Sequence, residues 1–294
     1  MPKLFHLLIT SLTNQQIAID ADLFSYLPRS YKRVGHIAII NLNEKLLDFK
    51  QPIADTLLEL LSPSIKTIAR FVKSIDGVTR KPTLEWLAGE QNFETTHVEH
   101  GTKFCINPQV LMLSAGNHHE RRRLLDFIDN LPLDHVTVLD MFACIGNLSL
   151  PLITHVPKAD LIFLEINPVA VKYLRQSLIS NNIESSRYTI FEGDNHSTCP
   201  VNVADVVVMG YFGVDEQQLS NAIASLRIGQ SDGWLFIHDI GSIQAESTVI
   251  ATFRKLIDQS TIWDLVSVEK HVVKSIGPSF EHWVFDCHVT TKQK

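Results

Sequence analysis

Between residues 136 and 239 the chain alternates short apolar runs with amphipathic stretches. The runs are VTVLD (136–140), LIFLE (161–165), YTIFEGD (188–194), ADVVVMG (204–210) and GWLFIHD (233–239). Runs of this length, rich in Val, Ile and Phe and without strict alternation, predict strands buried on both faces. Between them, Pro168–Ile183 and Glu216–Leu226 predict helices, and Pro168 occupies the early helical position that proline favours. Strands and helices in this order predict an α/β fold with a doubly wound parallel sheet. The stretch HWVFDCHV (282–289) alternates and predicts an antiparallel edge strand.

The N-terminal part has a different rhythm. HIAIINL (36–42) alternates like a half-buried strand. Residues 53–61 place Ile53, Leu57, Leu58 and Leu61 at helical spacing. Thr67–Val72 and Thr95–Cys105 predict strands, with turn signals at Asp76–Gly77 and His100–Gly101. The expected organisation is an unassigned N-terminal element over 1–28, a small α+β domain over 29–130, and the α/β domain over 131–294.

The length of 294 residues allows these two domains. With 45% hydrophobic and 20% charged residues, the chain can bury a sizeable core, which excludes a mostly disordered protein. No uncharged apolar run approaches the roughly 18–20 residues of a membrane span, and the N-terminus lacks a signal-peptide cleavage pattern. Cys105, Cys144, Cys199 and Cys287 form no C-x-x-C motif, and no His or Cys spacing predicts a metal site. They are expected to be reduced cysteines of a cytoplasmic protein.

The net charge of −6 does not advertise nucleic-acid binding, but its distribution is uneven. Residues 1–130 carry 15 Lys and Arg against 14 Asp and Glu, and residues 131–294 carry 11 against 18. Basic clusters lie at Arg29/Lys32/Arg33, Arg80/Lys81 and Arg121–Arg123, so a nucleic acid would be met mostly in the N-terminal part. Each cluster taken alone also reads as a solvated face.

The candidate chemistry sits at the strand tips. The first strand runs into Asp140-Met-Phe-Ala-Cys-Ile-Gly146-Asn, a turn of small residues before a helix. Only one glycine is present, so this is not the dinucleotide fingerprint. Glu165 ends the second strand, placed to accept hydrogen bonds from ribose hydroxyls. Asp194–Asn195 ends the third, placed to meet an adenine edge. Taken singly, Glu165 or Asp194 also reads as a helix N-cap. Together the three tips predict a nucleoside lying across the carboxyl ends of adjacent strands.

DMFACIGNLSLP, LEINP and FEGDN resemble class I S-adenosylmethionine-dependent enzymes, whose sheet is Rossmann-like. More narrowly, they resemble the family of tRNA guanosine-37 N1-methyltransferases and wybutosine-synthesis aminocarboxypropyltransferases. Residues 65–104, with Gly77, Arg80, Pro82, Gly89, His97, Glu99 and Gly101, are similar to the block that precedes the catalytic domain there. The resemblance covers roughly residues 30–290. The methyltransferases carry Asn-Leu-Pro at the fourth strand tip, whereas this chain reads Val208-Met-Gly210-Tyr211-Phe212-Gly213, similar to the archaeal aminocarboxypropyl branch. Ser114-Ala-Gly116-Asn117-His-His-Glu120-Arg121, GWLFIHD and the tail VVKSIGPSFEHWVFD are similar to the same branch. Cys144 replaces a glycine usual in the first turn, and Asn147 a bulkier residue.

The resemblance implies S-adenosyl-L-methionine as donor, with Ser114, Arg121, Phe142, Gly146, Glu165, Asp194 and Asn195 as its contacts. Arg121 is implied as a bidentate partner of the methionine carboxylate, against the alternative that Arg121–Arg123 face phosphates. It further implies transfer of the 3-amino-3-carboxypropyl group to C7 of 4-demethylwyosine at position 37 of tRNA(Phe), met at the anticodon loop. Tyr211 or Phe212 is the expected stacking residue and His238 the expected hydrogen-bonding or proton-moving residue, with core packing and a structural hydrogen bond as alternatives for Phe212 and His238. Two further functions stay open on the sequence: tRNA guanosine-37 N1-methyl transfer, and tRNA binding by a protein with a degenerate cofactor pocket.

Overall fold

All five apolar runs enter the central sheet, but Tyr188–Glu192, expected to be buried on both faces, lies at the sheet's edge and is partly exposed. In the computed structural model, which describes residues 4–76, 81–243 and 247–292, the chain folds as two compact units, 1–115 and 116–294.

In the first unit the elements are α1 (Leu4–Asn14), β1 (Lys32–Val34), β2 (Ile37–Ile40), α2 (Lys50–Leu61), β3 (Thr67–Asp76), β4 (Lys81–Gly89), β5 (Thr95–Glu99) and β6 (Thr102–Ile106). β1–β4 form one sheet in chain order, with β2 and β3 parallel and the outer pairs antiparallel. Leu8 and Leu12 of α1 and Ile53 and Leu57 of α2 join Ile40, Ile68 and Leu87 of the sheet in one core. The unassigned N-terminal residues thus supply a packed helix. β5 and β6 make a separate hairpin in which Glu99 pairs with Thr102 around the His100–Gly101 turn. Gly77 and Arg80, part of an expected turn and basic cluster, lie outside the described residues.

The second unit contains α3 (His118–Asn130), β7 (Val136–Asp140), α4 (Leu150–His155), β8 (Ala159–Glu165), α5 (Pro168–Ser180), β9 (Tyr188–Glu192), α6 (Asn195–Thr198), β10 (Val206–Met209), α7 (Glu216–Ser225), β11 (Asp232–Ser242), α8 (Thr248–Gln259), β12 (Trp263–Gly277) and β13 (Phe280–Thr291). The sheet order is β12-β13-β11-β10-β7-β8-β9. β7 to β11 are parallel, and β13 runs antiparallel to both its neighbours. The order reverses between β7 and β10, so the carboxyl ends of these strands flank the switch point where α/β sheets bind ligands.

One expectation is corrected. Residues 282–289 are antiparallel but not at the edge, because β12 pairs along their outer side. Alternation marked the strand, but it carries no information on how many neighbours a strand has. The edge strand on that side is the long, half-exposed β12, interrupted by three register shifts, and β9 forms the opposite edge. Among the described residues no helix is long and apolar enough to cross a membrane.

Candidate donor-binding site

The site grows from Asp140, the last residue of β7. Its side chain is buried, accepts from Ser149 Oγ at 2.5 Å and from the Phe142 main-chain nitrogen at 3.1 Å, and so closes the loop after the strand on itself. Burial pushes its carboxyl up from 3.8 to about 6, against the lowering effect of Ser149. The sequence reading missed this role, although an acid closing a buried strand was the available signal.

The loop turns through two left-handed residues, Cys144 at φ +52° and Gly146 at φ +82°. A Cβ on Gly146 would lie 2.7 Å from Leu150 Cβ, so only glycine fits the approach of α4. At Cys144 an L side chain is held in the conformation that glycine adopts without strain. The loop is nonetheless intact, because the Cys144 nitrogen donates to Glu165 Oε2 at 2.6 Å. Burial pushes the Cys144 thiol up to about 12, so it is a neutral, inert group.

Glu165 also accepts from the Asn167 nitrogen through Oε1 at 2.8 Å, while Asn167 itself caps α5. Glu165 is therefore not the helix cap. It stands half-buried between two loops, its carboxyl raised chiefly by burial against the lowering effect of backbone hydrogen bonds from Asn167, Cys144 and Ile166. A carboxylate has about four acceptor positions, so capacity remains for a hydroxyl donor such as a ribose would present. Asp194, in contrast, does cap α6 through the His196 nitrogen at 3.0 Å, and also pairs with the His196 ring, which reaches on to Asp215 at 2.7 Å.

Asn195 departs from the expected direct contact with an adenine. It is buried, donates to the Met141 carbonyl at 2.9 Å, and accepts from Gln218 Nε2 at 2.9 Å. Its amide braces the loops after β7 and β9 against α7. Phe142 and Tyr211, from the loops after β7 and β10, stack with ring centroids 5.1 Å apart and planes at 15°. The ring expected to receive an acceptor base thus already lies on a ring of the first loop.

Arg121 is 2% exposed and donates to the Asn147 carbonyl at 2.9 Å, which holds its guanidinium beside the first loop. The phosphate-facing alternative for Arg121–Arg123 does not match this arrangement. Arg122 is exposed and pairs with Asp126, while Arg123 is engaged by Glu120 and Asp286. Ser114 belongs to the first unit, half-buried in the stretch after β6. His238, near the carboxyl end of β11, is buried and hydrogen-bonds through Nδ1 to His282 Nε2 at 2.8 Å. Sequence reasoning missed His282, because 44 residues and a strand reversal separate the two rings. Among the described residues no cluster of three or more His, Cys, Asp or Glu could hold a metal.

A switch-point loop closed by a buried acid, a second strand ending in an acid with spare acceptor capacity, and an antiparallel final strand define the class I S-adenosylmethionine-dependent fold. The chain matches the TRM5/TYW2 methyltransferase domain over residues 95–262 and the TYW2 N-terminal domain over residues 15–92, and it belongs to that TRM5/TYW2 family. It is 30% identical over 273 residues to the tRNA(Phe) (4-demethylwyosine(37)-C(7)) aminocarboxypropyltransferase of Pyrococcus horikoshii, covering 92% of this chain and 93% of that one. It is 29% identical to the tRNA (guanine(37)-N(1))-methyltransferase Trm5b of Pyrococcus abyssi, over 58% of this chain and 49% of that one. The crystal structure of P. horikoshii TYW2 in complex with MeSAdo superposes with a TM-score of 0.79 at 25% identity, covering 96% of this chain and 99% of that one.

Proposed function

We propose that the protein transfers the 3-amino-3-carboxypropyl group of S-adenosyl-L-methionine to C7 of 4-demethylwyosine at position 37 of tRNA(Phe), releasing methylthioadenosine. The observation that carries this reading is the match along nearly the full length of both chains to the P. horikoshii aminocarboxypropyltransferase. The match of residues 15–92 to the TYW2 N-terminal domain supports the same branch. So does the fourth strand tip, Met209-Gly-Tyr211-Phe-Gly213, which lacks Asn-Leu-Pro. By sequence, the match to the P. abyssi methyltransferase spans only about half of each chain.

The donor's sulfonium activates three carbons, and the one transferred is the one held in line with the acceptor. Glu165 holds the ribose, with its own orientation fixed by Cys144 and Asn167. Asp194 lies at the adenine end, and Asn195 keeps the loops around it in register. Arg121, oriented by the Asn147 carbonyl, takes the methionine carboxylate and turns the side chain so that its γ-carbon faces the acceptor. Phe142 and Tyr211 form the aromatic wall between the donor and the base at position 37, which must be splayed from the anticodon loop to be reached.

Identifying the small-molecule product tests this. With tRNA carrying the tricyclic precursor, methylthioadenosine should accumulate in step with modified tRNA. S-adenosylhomocysteine instead would move the protein to the methyltransferase branch.

A further inference from the structure

The last three strands of the second unit outrun the sheet they belong to. β10 ends at Met209, opposite Ile237 of β11, yet β11 continues to Ser242, paired there with β13. β12 follows β13 along the same stretch, so a three-stranded ribbon overhangs the carboxyl edge of β10. Paired residues in a sheet share a face, and so do residues two apart on one strand. One face of the ribbon therefore carries Asp286, Val284, His282 and Phe280 of β13. Ile240 and Lys274 flank His282 on that face, and Ser242 and Gly277 flank Phe280.

This face is covered in its inner part and bare at its outer end. Arg123 of α3 reaches Asp286, and the ring of Phe212, in the loop after β10, meets the His282 ring edge-on with centroids 4.7 Å apart. His282 is 1% exposed, whereas Ile240 is 37% and Phe280 51% exposed. The cross-strand neighbours of Phe280 are too small to cover its ring, and a Cβ on Gly277 would meet nothing within 4 Å. The overhang's carboxylates sit on the opposite face. There Glu281 accepts from Trp283 Nε1 at 2.8 Å and Asp239 accepts from Ser247 Oγ at 2.6 Å. Lys274 is the cation that the bare face brings beside its apolar residues. An exposed aromatic ring near a cation, with the carboxylates turned away, suits an unpaired base and its phosphate.

We propose that Phe280 is the platform on which a nucleotide flanking position 37 stacks, in the single-stranded anticodon loop, while the reacting base turns in toward Tyr211. The proposal deepens the reading of the acceptor and rests on it. The link is the loop after β10, in which Phe212 follows Tyr211 and touches the ribbon two residues from Phe280 on the same face. A base drawn out of a stacked loop takes stacking from its neighbours as well. A ring at the rim of the site restores one such stack and lowers the cost of splaying the loop.

The test uses an anticodon stem-loop carrying the tricyclic precursor, with binding and turnover measured separately. Phe280→Ala should weaken stem-loop binding and raise its KM by about tenfold, the loss of one base stacked on an aromatic ring. Methylthioadenosine affinity, kcat at saturating stem-loop and the urea midpoint should stay as in the unsubstituted protein. Phe280→Trp should restore binding and Phe280→Leu should not, because leucine has no π-face. The salt dependence of binding should be the same in Phe280→Ala, since no phosphate contact is lost. Ile240→Glu, which puts a carboxylate on the bare face, should weaken binding, and Val272→Glu, on the Trp283 face, should leave it unchanged. Binding by Phe280→Ala within twofold of the unsubstituted protein, or equal rescue by leucine and tryptophan, would overturn the proposal. An unsubstituted protein that binds the stem-loop but transfers nothing overturns the functional reading, and the binding series still decides the role of Phe280.

Discussion

The main-chain nitrogen of Cys144 donates to Oε2 of Glu165 at 2.6 Å, tying the loop after the first strand of the catalytic sheet to the tip of the second. One carboxylate thereby sets the shape of the loop and is proposed to hold the donor's ribose. Glu165→Ala should remove both functions. It leaves the Cys144 and Asn167 nitrogens without their acceptor, a destabilisation of about 1–3 kcal/mol in urea unfolding. Methylthioadenosine affinity should fall by about tenfold or more, since a hydrogen bond to a charged group contributes about 1.5–3 kcal/mol. Unchanged affinity by calorimetry would remove Glu165 from the site.

Cys144 itself makes a separate prediction. At φ +52° any L residue is strained, so Cys144→Ala should be less stable than Cys144→Gly by about 1 kcal/mol. The glycine variant should also bind methylthioadenosine at least as well as the unsubstituted protein. If alanine proved the more stable of the two, the left-handed loop would be wrong.

Arg121 is proposed to hold a group that methylthioadenosine lacks. Arg121→Lys keeps the charge but loses the fork. It should weaken S-adenosylmethionine binding about tenfold, by the loss of one charge-assisted bond, and leave methylthioadenosine binding alone. Equal losses for both ligands would place Arg121 in support of the loop through Asn147 rather than at the carboxylate.

Asp140 gives a pH signature. Its carboxyl rises from 3.8 to about 6 on folding, so folding favours the protonated form. The stability from this group is therefore full below about 3.8 and is lost as pH rises through about 6. At about 1.4 kcal/mol per pH unit the loss is about 3 kcal/mol. Asp140→Asn should abolish that slope, so the difference between its unfolding free energy and that of the unsubstituted protein should change between pH 4 and pH 6 and be flat above pH 7. A difference independent of pH would contradict the buried, hydrogen-bonded carboxyl.

Much of this was legible in the sequence, for identifiable reasons. β7 and β10 are buried on both faces and β8 nearly so, so their residues form apolar runs that reveal both strand and parallel sheet. The acids at 140, 165 and 194 stood out because each ended such a run. β12 went unread because its exposure follows no clean alternation, broken as it is by register shifts at Leu265/Ser267, Val272/Lys274 and Ser275/Gly277. The choice between cap and ligand for Glu165 and Asp194 was equally hidden, since it depends on which backbone nitrogens the loops turn inward. The commitment of Asn195 to Met141 and Gln218, and of Arg123 to Asp286, joins residues from 23 to 163 positions apart, and local pattern carries no trace of such pairs.

The central claim is that the γ-carbon rather than the methyl carbon is transferred. The most direct measurement uses two preparations of S-adenosylmethionine, one labelled in the methyl group and one in the carboxyl carbon, each incubated with the protein and tRNA carrying the tricyclic precursor. Carboxyl label in the tRNA with no methyl label is the predicted result. Methyl label in the tRNA with no carboxyl label would contradict it.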